Sequence, residues 1–332
     1  MKKITTLLVI GILLLQCKPS PDAPTEKPVG LIADSAMVVS ARIEASLAGK
    51  EMLQRGGIAF DAMVATELAL AVVYPVAGNI GGGGFLVYRK ADGEKGAIDY
   101  REKAPLAATH DMYLDENGEM IEDMSTLGAM AVGIPGTIAA LFEVHEKHGT
   151  MPLDELFQPA IDLARNGFVL TKKQANSFNG TQKRFKKANN FEIPLIGEWK
   201  EGDTLKLPDL AATLERIRDN GPDEFYKGET AQLLVDYIQD LGGIITMEDM
   251  AAYEAKWRDP ITFNFKDYTI TSMTMPSSGG VGLAQILKGV EPFNVGTLEH
   301  NKTKYIQVVT EAERRAYADR AQYLGDMDYV DV

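Results

Sequence analysis

Four groups of residues in this sequence are of types that catalyse reactions or bind ligands in other proteins. They are two adjacent serines, two nearby histidines, a run of glycines and one arginine: Ser277 and Ser278, His145 and His148, Gly78 to Gly84, and Arg101. The corresponding chemistries are nucleophilic attack, zinc binding, phosphate binding and the clamping of a carboxylate. The neighbours of each group decide which of these chemistries the sequence supports.

Ser277 and Ser278 follow Met275-Pro276 and precede Gly279-Gly280. A serine nucleophile needs a base and an orienting acid, and the Gly-x-Ser-x-Gly elbow that often presents one is missing. The pattern therefore favours a turn in which a serine hydroxyl caps the next helix.

His145 and His148 are three residues apart, whereas the zinc-binding helix places its histidines four apart. The favoured interpretation of this pair is a solvated helix end. His110 and His300 have no cysteine or carboxylate cluster nearby with ligand spacing. We therefore expect neither a metal ion nor a cofactor.

The glycines from Gly78 to Gly84 precede a predicted strand, whereas phosphate-binding loops follow a strand and open a helix. The sequence also lacks Gly-Lys-Ser/Thr, so nucleotide binding is disfavoured. Glycines in this position indicate a tight turn or a close approach between two backbones.

Arg101 comes at the end of a predicted β-hairpin that covers residues 85–101 and turns at Asp92-Gly93. A guanidinium held at a strand end has the geometry to clamp a carboxylate. On spacing alone the carboxylate clamp is disfavoured, because Asp99 or Glu102 can simply form an ion pair with Arg101.

These residues must be positioned by a mixture of helices and strands. Apolar periodicity predicts helices over residues 37–54, 61–73, 136–147, 153–165, 210–218, 230–241 and 303–323, and alternation predicts strands within 261–273. Asp61 is a plausible N-cap of the second helix, and the basic run Lys183 to Lys187 is expected on a surface loop. No repeat is visible, and we expect a single domain.

Composition narrows the class of protein. The chain has 332 residues, 45% of them hydrophobic, which is enough for a sizeable core. Its formal charge of −13 argues against nucleic acid as a partner, because phosphate binding needs a basic surface. The single cysteine leaves no intrachain disulfide to form.

The amino terminus has the features of an export signal. Residues 1–16 combine an early pair of lysines with an apolar run too short to span a bilayer. Cys17 follows directly, as the lipid-modified cysteine of a bacterial lipoprotein does, although Gln16 replaces the usual small residue. Ordinary secretion is the alternative, and residues 17–30 are expected to form a flexible tether.

Several motifs occur in an order that resembles the γ-glutamyltransferase family. They are Gly56-Gly57-Ile58-Ala59-Phe60-Asp61-Ala62, Ile80-Gly81-Gly82-Gly83-Gly84-Phe85, Asp99-Tyr100-Arg101-Glu102-Lys103-Ala104-Pro105, Val132-Gly133-Ile134-Pro135-Gly136-Thr137, Ala164-Arg165-Asn166-Gly167-Phe168 and Met275-Pro276-Ser277-Ser278-Gly279-Gly280. The resemblance covers residues 31–332, which we identify as a large-subunit portion.

The resemblance implies an α/β fold, an αββα sandwich of the N-terminal-nucleophile hydrolase type, made as a proenzyme that cuts itself into a large and a small subunit. In such enzymes the new amino-terminal threonine of the small subunit attacks a γ-glutamyl amide such as that of glutathione. The acyl group then passes to water or to an amine. The family's substrate-binding arginine maps to Arg101, which is expected to hold the substrate α-carboxylate.

The threonine junction of the family has no counterpart in this sequence. The resemblance therefore implies that the nucleophile comes from the small subunit, and that this chain alone is inactive and incomplete as a sandwich. The alternatives are a non-catalytic exported binding or scaffold remnant of the same fold and, least favoured, a small subunit encoded separately.

Overall fold

The computed structural model describes residues 30–331. The predicted export signal, Cys17 and almost all of the predicted tether lie outside the described residues. The chain divides into two units, residues 1–37 and 38–332, and all the helices and strands described below lie in the second.

Residues 30–331 contain eleven α-helices. In chain order they are α1 Ile43–Gln54, α2 Ala59–Val73, α3 Thr137–His148, α4 Leu153–Asn166, α5 Lys172–Ala188, α6 Pro208–Asn220, α7 Pro222–Tyr226, α8 Glu229–Asp240, α9 Met247–Ala251, α10 Gly279–Val290 and α11 Thr303–Tyr323. None of these helices is both long and apolar enough to cross a membrane.

Seven strands accompany them in the same part of the chain: β1 Phe85–Arg89, β2 Lys95–Asp99, β3 Phe168–Val169, β4 Thr204–Leu205, β5 Lys256–Arg258, β6 Ile261–Phe265 and β7 Tyr268–Ser272. Strands β1, β2 and β5 form an antiparallel three-stranded sheet with β2 in the centre. The pairs β3–β4 and β6–β7 form two further small sheets.

Helix α2 lies at the centre of the main hydrophobic core. Most of its side chains are buried, which matches a sequence that is apolar on all sides rather than amphipathic. It packs against α1 and α4, and the core continues through α6 and α8. This packing gives the sheet a rigid support.

One face of the three-stranded sheet packs on helices α2 and α3. Ile98 of β2 is fully buried there with Ala140 and Val144 of α3. Because side chains alternate along a strand, Asp99 lies on the opposite face, and Arg101 follows two residues later. The sheet thus directs Asp99 away from the helices.

The structure corrects two sequence predictions about these elements. Helix α2 begins at Ala59 with Ile58 as N-cap, so Asp61 is not the cap; its carboxylate accepts the Ile58 N–H at 2.8 Å from inside the first turn. The basic run Lys183 to Lys187 lies on helix α5 and not on a loop. Helix α5 is mostly polar, which makes its periodicity hard to see in the sequence.

Candidate active-site arginine

Arg101 lies two residues beyond the end of β2, and its side chain is 58% exposed. The Nε atom is 3.5 Å from a carboxylate oxygen of Glu102, and the guanidinium carbon is 5.9 Å from the centroid of the Phe85 ring. An ion pair this exposed contributes only about 0.2–1 kcal/mol. The guanidinium therefore remains available to a stronger anionic partner.

The backbone around Arg101 is held far more firmly than its side chain. The Arg101 N–H donates to Asp99 Oδ1 at 3.1 Å, and the hydroxyl of the buried Tyr253 donates to the Arg101 carbonyl at 2.9 Å. Two residues on, the N–H and C=O groups of Lys103 pair with Ile134 at 3.2 and 2.8 Å. These bonds fix the direction in which the Arg101 side chain leaves the chain.

A buried carboxylate anchors the next turn of the same segment. Asp249, 2% exposed, accepts the Leu106 N–H at 2.7 Å and both the N–H and the hydroxyl of Thr246. Burial alone would raise the pKa of Asp249, but these hydrogen bonds outweigh it and lower the pKa below its ordinary value. Asp249 thus remains an anionic anchor at neutral pH.

Two glycines allow three segments to meet behind Arg101. A side chain at Gly83 would collide with the Tyr100 carbonyl and crowd the Glu102 N–H. A side chain at Gly136 would collide with the same carbonyl and with the Tyr253 hydroxyl. Close approach, one of the two explanations that the sequence left open, thus accounts for Gly83, and none of the glycines between Gly78 and Gly84 has a positive φ.

The serines of the Ser-Ser-Gly-Gly run have no catalytic surroundings within the described residues. Ser277 Oγ accepts the Gly279 N–H at 3.3 Å, and Ser278 Oγ accepts a hydrogen bond from Arg320 Nε at 2.8 Å. Ser278 occupies the N-cap position of α10, but its hydroxyl does not cap the helix. Within the described residues, neither serine donates its hydroxyl proton to a group that could act as a general base.

The two histidines lie in the last turn of α3, but His148 is not the solvated residue that the sequence predicts. Its ring stacks on Phe60 with centroids 4.3 Å apart and meets the edges of Tyr88 and Trp257. Burial and the nearby lysines lower the pKa of His148. His145 instead contacts the Met151 carbonyl oxygen at 2.8 Å.

Sequence reasoning missed three residues that bond to residues 99–106, called here the Arg101 segment. Tyr253 bonds to Arg101, Asp249 to Leu106 and Arg258 to Asp99. The stretch Thr246-Met247-Glu248-Asp249 has the spacing of a capping box, in which Thr246 is the N-cap and Asp249 bonds back to it, but this signal does not reveal the bond from Leu106 to Asp249. Tyr253 and Arg101 are 152 positions apart, so no local pattern in one sequence links them.

Comparison with known proteins places this geometry in a family. The model of the gamma-glutamyltranspeptidase family matches residues 45–332. The glutathione hydrolase proenzyme of Pseudomonas aeruginosa is 46% identical over 281 residues, covering 84% of this chain and 50% of that protein. The glutathione hydrolase proenzyme of Escherichia coli is 41% identical over 340 residues, covering 98% of this chain and 58% of that protein.

Solved structures share the fold. The gamma-glutamyltranspeptidase of Helicobacter pylori is 42% identical with a TM-score of 0.87, and the match covers 91% of this chain and 88% of that chain. The Pseudomonas nitroreducens gamma-glutamyltranspeptidase complexed with L-DON is 44% identical with a TM-score of 0.87, covering 91% and 90%. The fold is thus the α/β fold of these N-terminal-nucleophile hydrolases.

The chain belongs to the γ-glutamyltranspeptidase family, as the order of its motifs predicted. The two curated relatives described above are named glutathione hydrolase proenzymes. The chain spans about half the length of the curated relatives it matches.

Proposed function

We propose that these residues form the large-subunit part of an exported γ-glutamyltransferase or glutathione hydrolase. The complete enzyme cleaves the γ-glutamyl amide bond of glutathione and related compounds and transfers the γ-glutamyl group to water or an amine. Family membership supports the reaction class. The single observation that carries the role of this chain is the exposed Arg101 guanidinium on a rigidly held backbone.

Arg101 binds the α-carboxylate of the γ-glutamyl group in this proposal. A planar guanidinium makes two parallel hydrogen bonds to a carboxylate, which fixes orientation as well as position. Because the backbone is already held by Asp99 and Tyr253, little backbone conformational entropy is lost when substrate binds. Glu102 competes for the guanidinium only weakly, at 3.5 Å and in an exposed setting.

The catalytic threonine belongs to a small subunit released from the same proenzyme. The match covers 88–90% of the two solved chains but only 50–58% of the two curated proenzymes, which supports a second chain of comparable size. Its amino-terminal threonine attacks the γ-glutamyl carbonyl, with its own α-amine as the base. Arg101 holds the other end of the γ-glutamyl group during this attack.

The open edges of the three-stranded sheet support a partner subunit. Among residues 30–331, β1 and β5 each pair only with β2, so each presents one unpaired edge. Large apolar side chains are also exposed near the end of the chain, among them Tyr317, Tyr323 and Tyr329. Strands and side chains of the small subunit cover these surfaces in the complete sandwich.

Export follows from residues 1–16, which act as a signal, and Cys17 carries a lipid anchor. A signal with an apolar run and a cysteine directly after it supports both parts of this proposal. Mass spectrometry of the mature amino terminus tests it, because a diacylglyceryl-modified Cys17 is heavier than an unmodified one. An unmodified amino terminus would contradict the lipid anchor and favour ordinary secretion.

The activity is tested with an enzyme assembled from this chain and its small subunit. We expect release of the anilide from a γ-glutamyl anilide. Replacing Arg101 with Ala should raise KM about 10- to 150-fold, because a hydrogen bond to a charged group contributes about 1.5–3 kcal/mol.

Arg89→Ala is the matched control, since Arg89 is an exposed arginine on neighbouring β1. This variant should have a KM within about twofold of the wild-type value, because it keeps every contact of Arg101. Failure of the assembled enzyme to cleave any γ-glutamyl amide would contradict the proposed activity. An unchanged KM in Arg101→Ala would remove Arg101 from the substrate site.

A further inference from the structure

Arg258 ends strand β5 and lies almost completely buried beside the Arg101 segment. Its register partner on β2 is Ala97, and its side chain is 10% exposed. The guanidinium donates a hydrogen bond from Nε to Asp99 Oδ2 at 2.9 Å, and Nη2 lies 2.8 Å from the same oxygen as an ion-pair contact. Arg258 is thus bonded to the carboxylate that holds the Arg101 N–H.

The two carboxylate oxygens of Asp99 accept hydrogen bonds from different donors. Oδ2 accepts from Arg258, while Oδ1 accepts the Arg101 N–H at 3.1 Å. A carboxylate rotates about its last side-chain bond, so a firm contact on one oxygen fixes the position of the other. The direction of Oδ1, and with it the Arg101 amide, therefore depends on Arg258.

Arg258 is itself held by the segment that follows the last helix. Asp328 Oδ1 lies 3.3 Å from Arg258 Nη2, and Asp328 Oδ2 lies 2.5 Å from Lys256 Nζ. Charges of alternating sign thus run from Lys256 through Asp328 and Arg258 to Asp99. The hydrogen bond from Lys256 and the charges of both cations lower the pKa of Asp328, although burial opposes them.

The Asp99–Arg258 ion pair contributes orientation rather than stability. A pair this buried carries a desolvation cost that an apolar pair of the same size avoids, so its net contribution to stability is small. It does supply direction, because a guanidinium bonded to one carboxylate oxygen leaves the second oxygen aimed at a defined donor. In this chain the donor is the amide of the proposed substrate-binding residue.

We infer that Arg258 is a positioning residue for Arg101, acting through Asp99 and itself held by Asp328. The inference rests on the proposed role of Arg101 in substrate binding. Removing Arg258 frees the Asp99 carboxylate to turn, loosens the Arg101 backbone and weakens substrate binding. Arg258 itself touches no reacting atom, so the chemical step is unaffected.

Hydrogen exchange tests the physical part of the inference without activity. In the assembled protein, Arg258→Met should speed exchange of the Arg101 amide about tenfold, which corresponds to the loss of one hydrogen bond of ordinary strength. Arg258→Lys, which keeps one charged donor, should fall between Met and wild type.

Arg216→Met is the matched control for this experiment. It breaks another partly buried ion pair, with Glu224, and none of the hydrogen bonds of Arg216 reaches residues 99–106. It should leave exchange of the Arg101 amide unchanged. An unchanged rate in folded Arg258→Met would overturn the inference.

Kinetics test the functional part. Arg258→Met should raise KM for a γ-glutamyl anilide about 3- to 10-fold, with kcat within about twofold, because binding but not chemistry is weakened. If Arg258→Met does not fold, Asp99→Asn takes its place, since Asn has one acceptor oxygen instead of two, and either Arg258 or the Arg101 N–H then loses its acceptor. An unchanged KM and unchanged exchange in Asp99→Asn would equally overturn the inference.

The two proposals fail in distinguishable ways. If Arg101→Ala leaves KM unchanged, the substrate-binding role of Arg101 is wrong, whatever Arg258 does. If Arg101→Ala raises KM while folded Arg258→Met changes neither KM nor amide exchange, the role of Arg101 stands and the positioning role of Arg258 is wrong.

Discussion

Asp61 shows how a single buried charge joins two elements. Its side chain is fully buried in the first turn of α2, and its carboxylate accepts the Ile58 N–H, the Thr150 N–H and hydroxyl, and the Met151 N–H. Asp61 therefore ties the start of α2 to the loop after α3. The carboxylate also lies at the positive end of the helix dipole.

Replacing Asp61 with Asn should lower the free energy of unfolding by about 2–4 kcal/mol. The amide keeps the shape but presents a donor to groups that are themselves donors. Chemical denaturation of the assembled protein at neutral pH measures the effect. Equal stability of the two proteins at pH 7 would show that the charge of Asp61 contributes nothing.

The same pair of proteins tests a pH dependence. Burial would raise the pKa of Asp61, but its hydrogen bonds outweigh burial and lower it below the ordinary value. A depressed folded-state pKa gives stability that is present above the unfolded pKa, about 3.9, and is lost as pH falls through the folded pKa. The stability difference between wild type and Asp61→Asn should hold from pH 7 to about pH 4 and shrink below it.

At the scale of elements, the site depends on where backbones can approach one another. Gly83 precedes β1 and Gly136 precedes α3, and both lie against the Tyr100 carbonyl at the end of β2. Neither has a positive φ, so these positions require glycine because of the neighbouring atoms. The meeting of these elements fixes the start of the Arg101 segment.

Gly83→Ala and Gly136→Ala should each destabilise the protein by about 1–3 kcal/mol, because the added methyl group overlaps backbone atoms that cannot move independently. Both variants should also raise KM for a γ-glutamyl anilide by displacing Arg101. Gly180→Ala is the control, since Gly180 lies within α5 and its methyl group would meet no atom within 4 Å.

Gly180→Ala should leave KM unchanged and raise stability by about 0.5–1 kcal/mol, the ordinary helix preference for alanine over glycine. Thermal melting and steady-state kinetics on the three variants measure both effects. Wild-type stability and KM in Gly83→Ala would contradict the close approach on which the site depends.

Most elements could be predicted from the sequence because their signals are local. The helix predicted over 303–323 and the hairpin around Asp92-Gly93 are both confirmed, since periodicity and turn residues lie next to each other in the chain. Arg101 was proposed as a substrate-binding residue from its place after a strand and from its motif, and this role stays a prediction. Tyr253 and Arg258 were not identified, because their contacts with the Arg101 segment exist only after folding brings distant strands together.

At the scale of the whole molecule, the described part of the chain has unsatisfied surfaces. Strands β1 and β5 each have one unpaired edge, and Tyr317, Tyr323 and Tyr329 are all more than 60% exposed. Unpaired edges and exposed apolar groups favour association with another chain.

The chain produced without a small subunit should therefore aggregate or melt without cooperativity, and its co-production with a small subunit should give a cooperative melt. Size-exclusion chromatography and calorimetry compare the two preparations. A monomeric, cooperatively melting product of these 332 residues alone would contradict the need for a partner and support a non-catalytic scaffold.

The central claim is that Arg101 binds the α-carboxylate of the γ-glutamyl group. It is tested by comparing a γ-glutamyl anilide with the 4-aminobutyryl anilide that lacks only this carboxylate, in the assembled wild-type enzyme and in Arg101→Ala. We predict that the wild type prefers the γ-glutamyl compound by about 10- to 150-fold in kcat/KM and that Arg101→Ala has almost no preference. An equal preference in both enzymes would show that a group other than Arg101 binds the carboxylate and that Arg101 does not contribute to this binding.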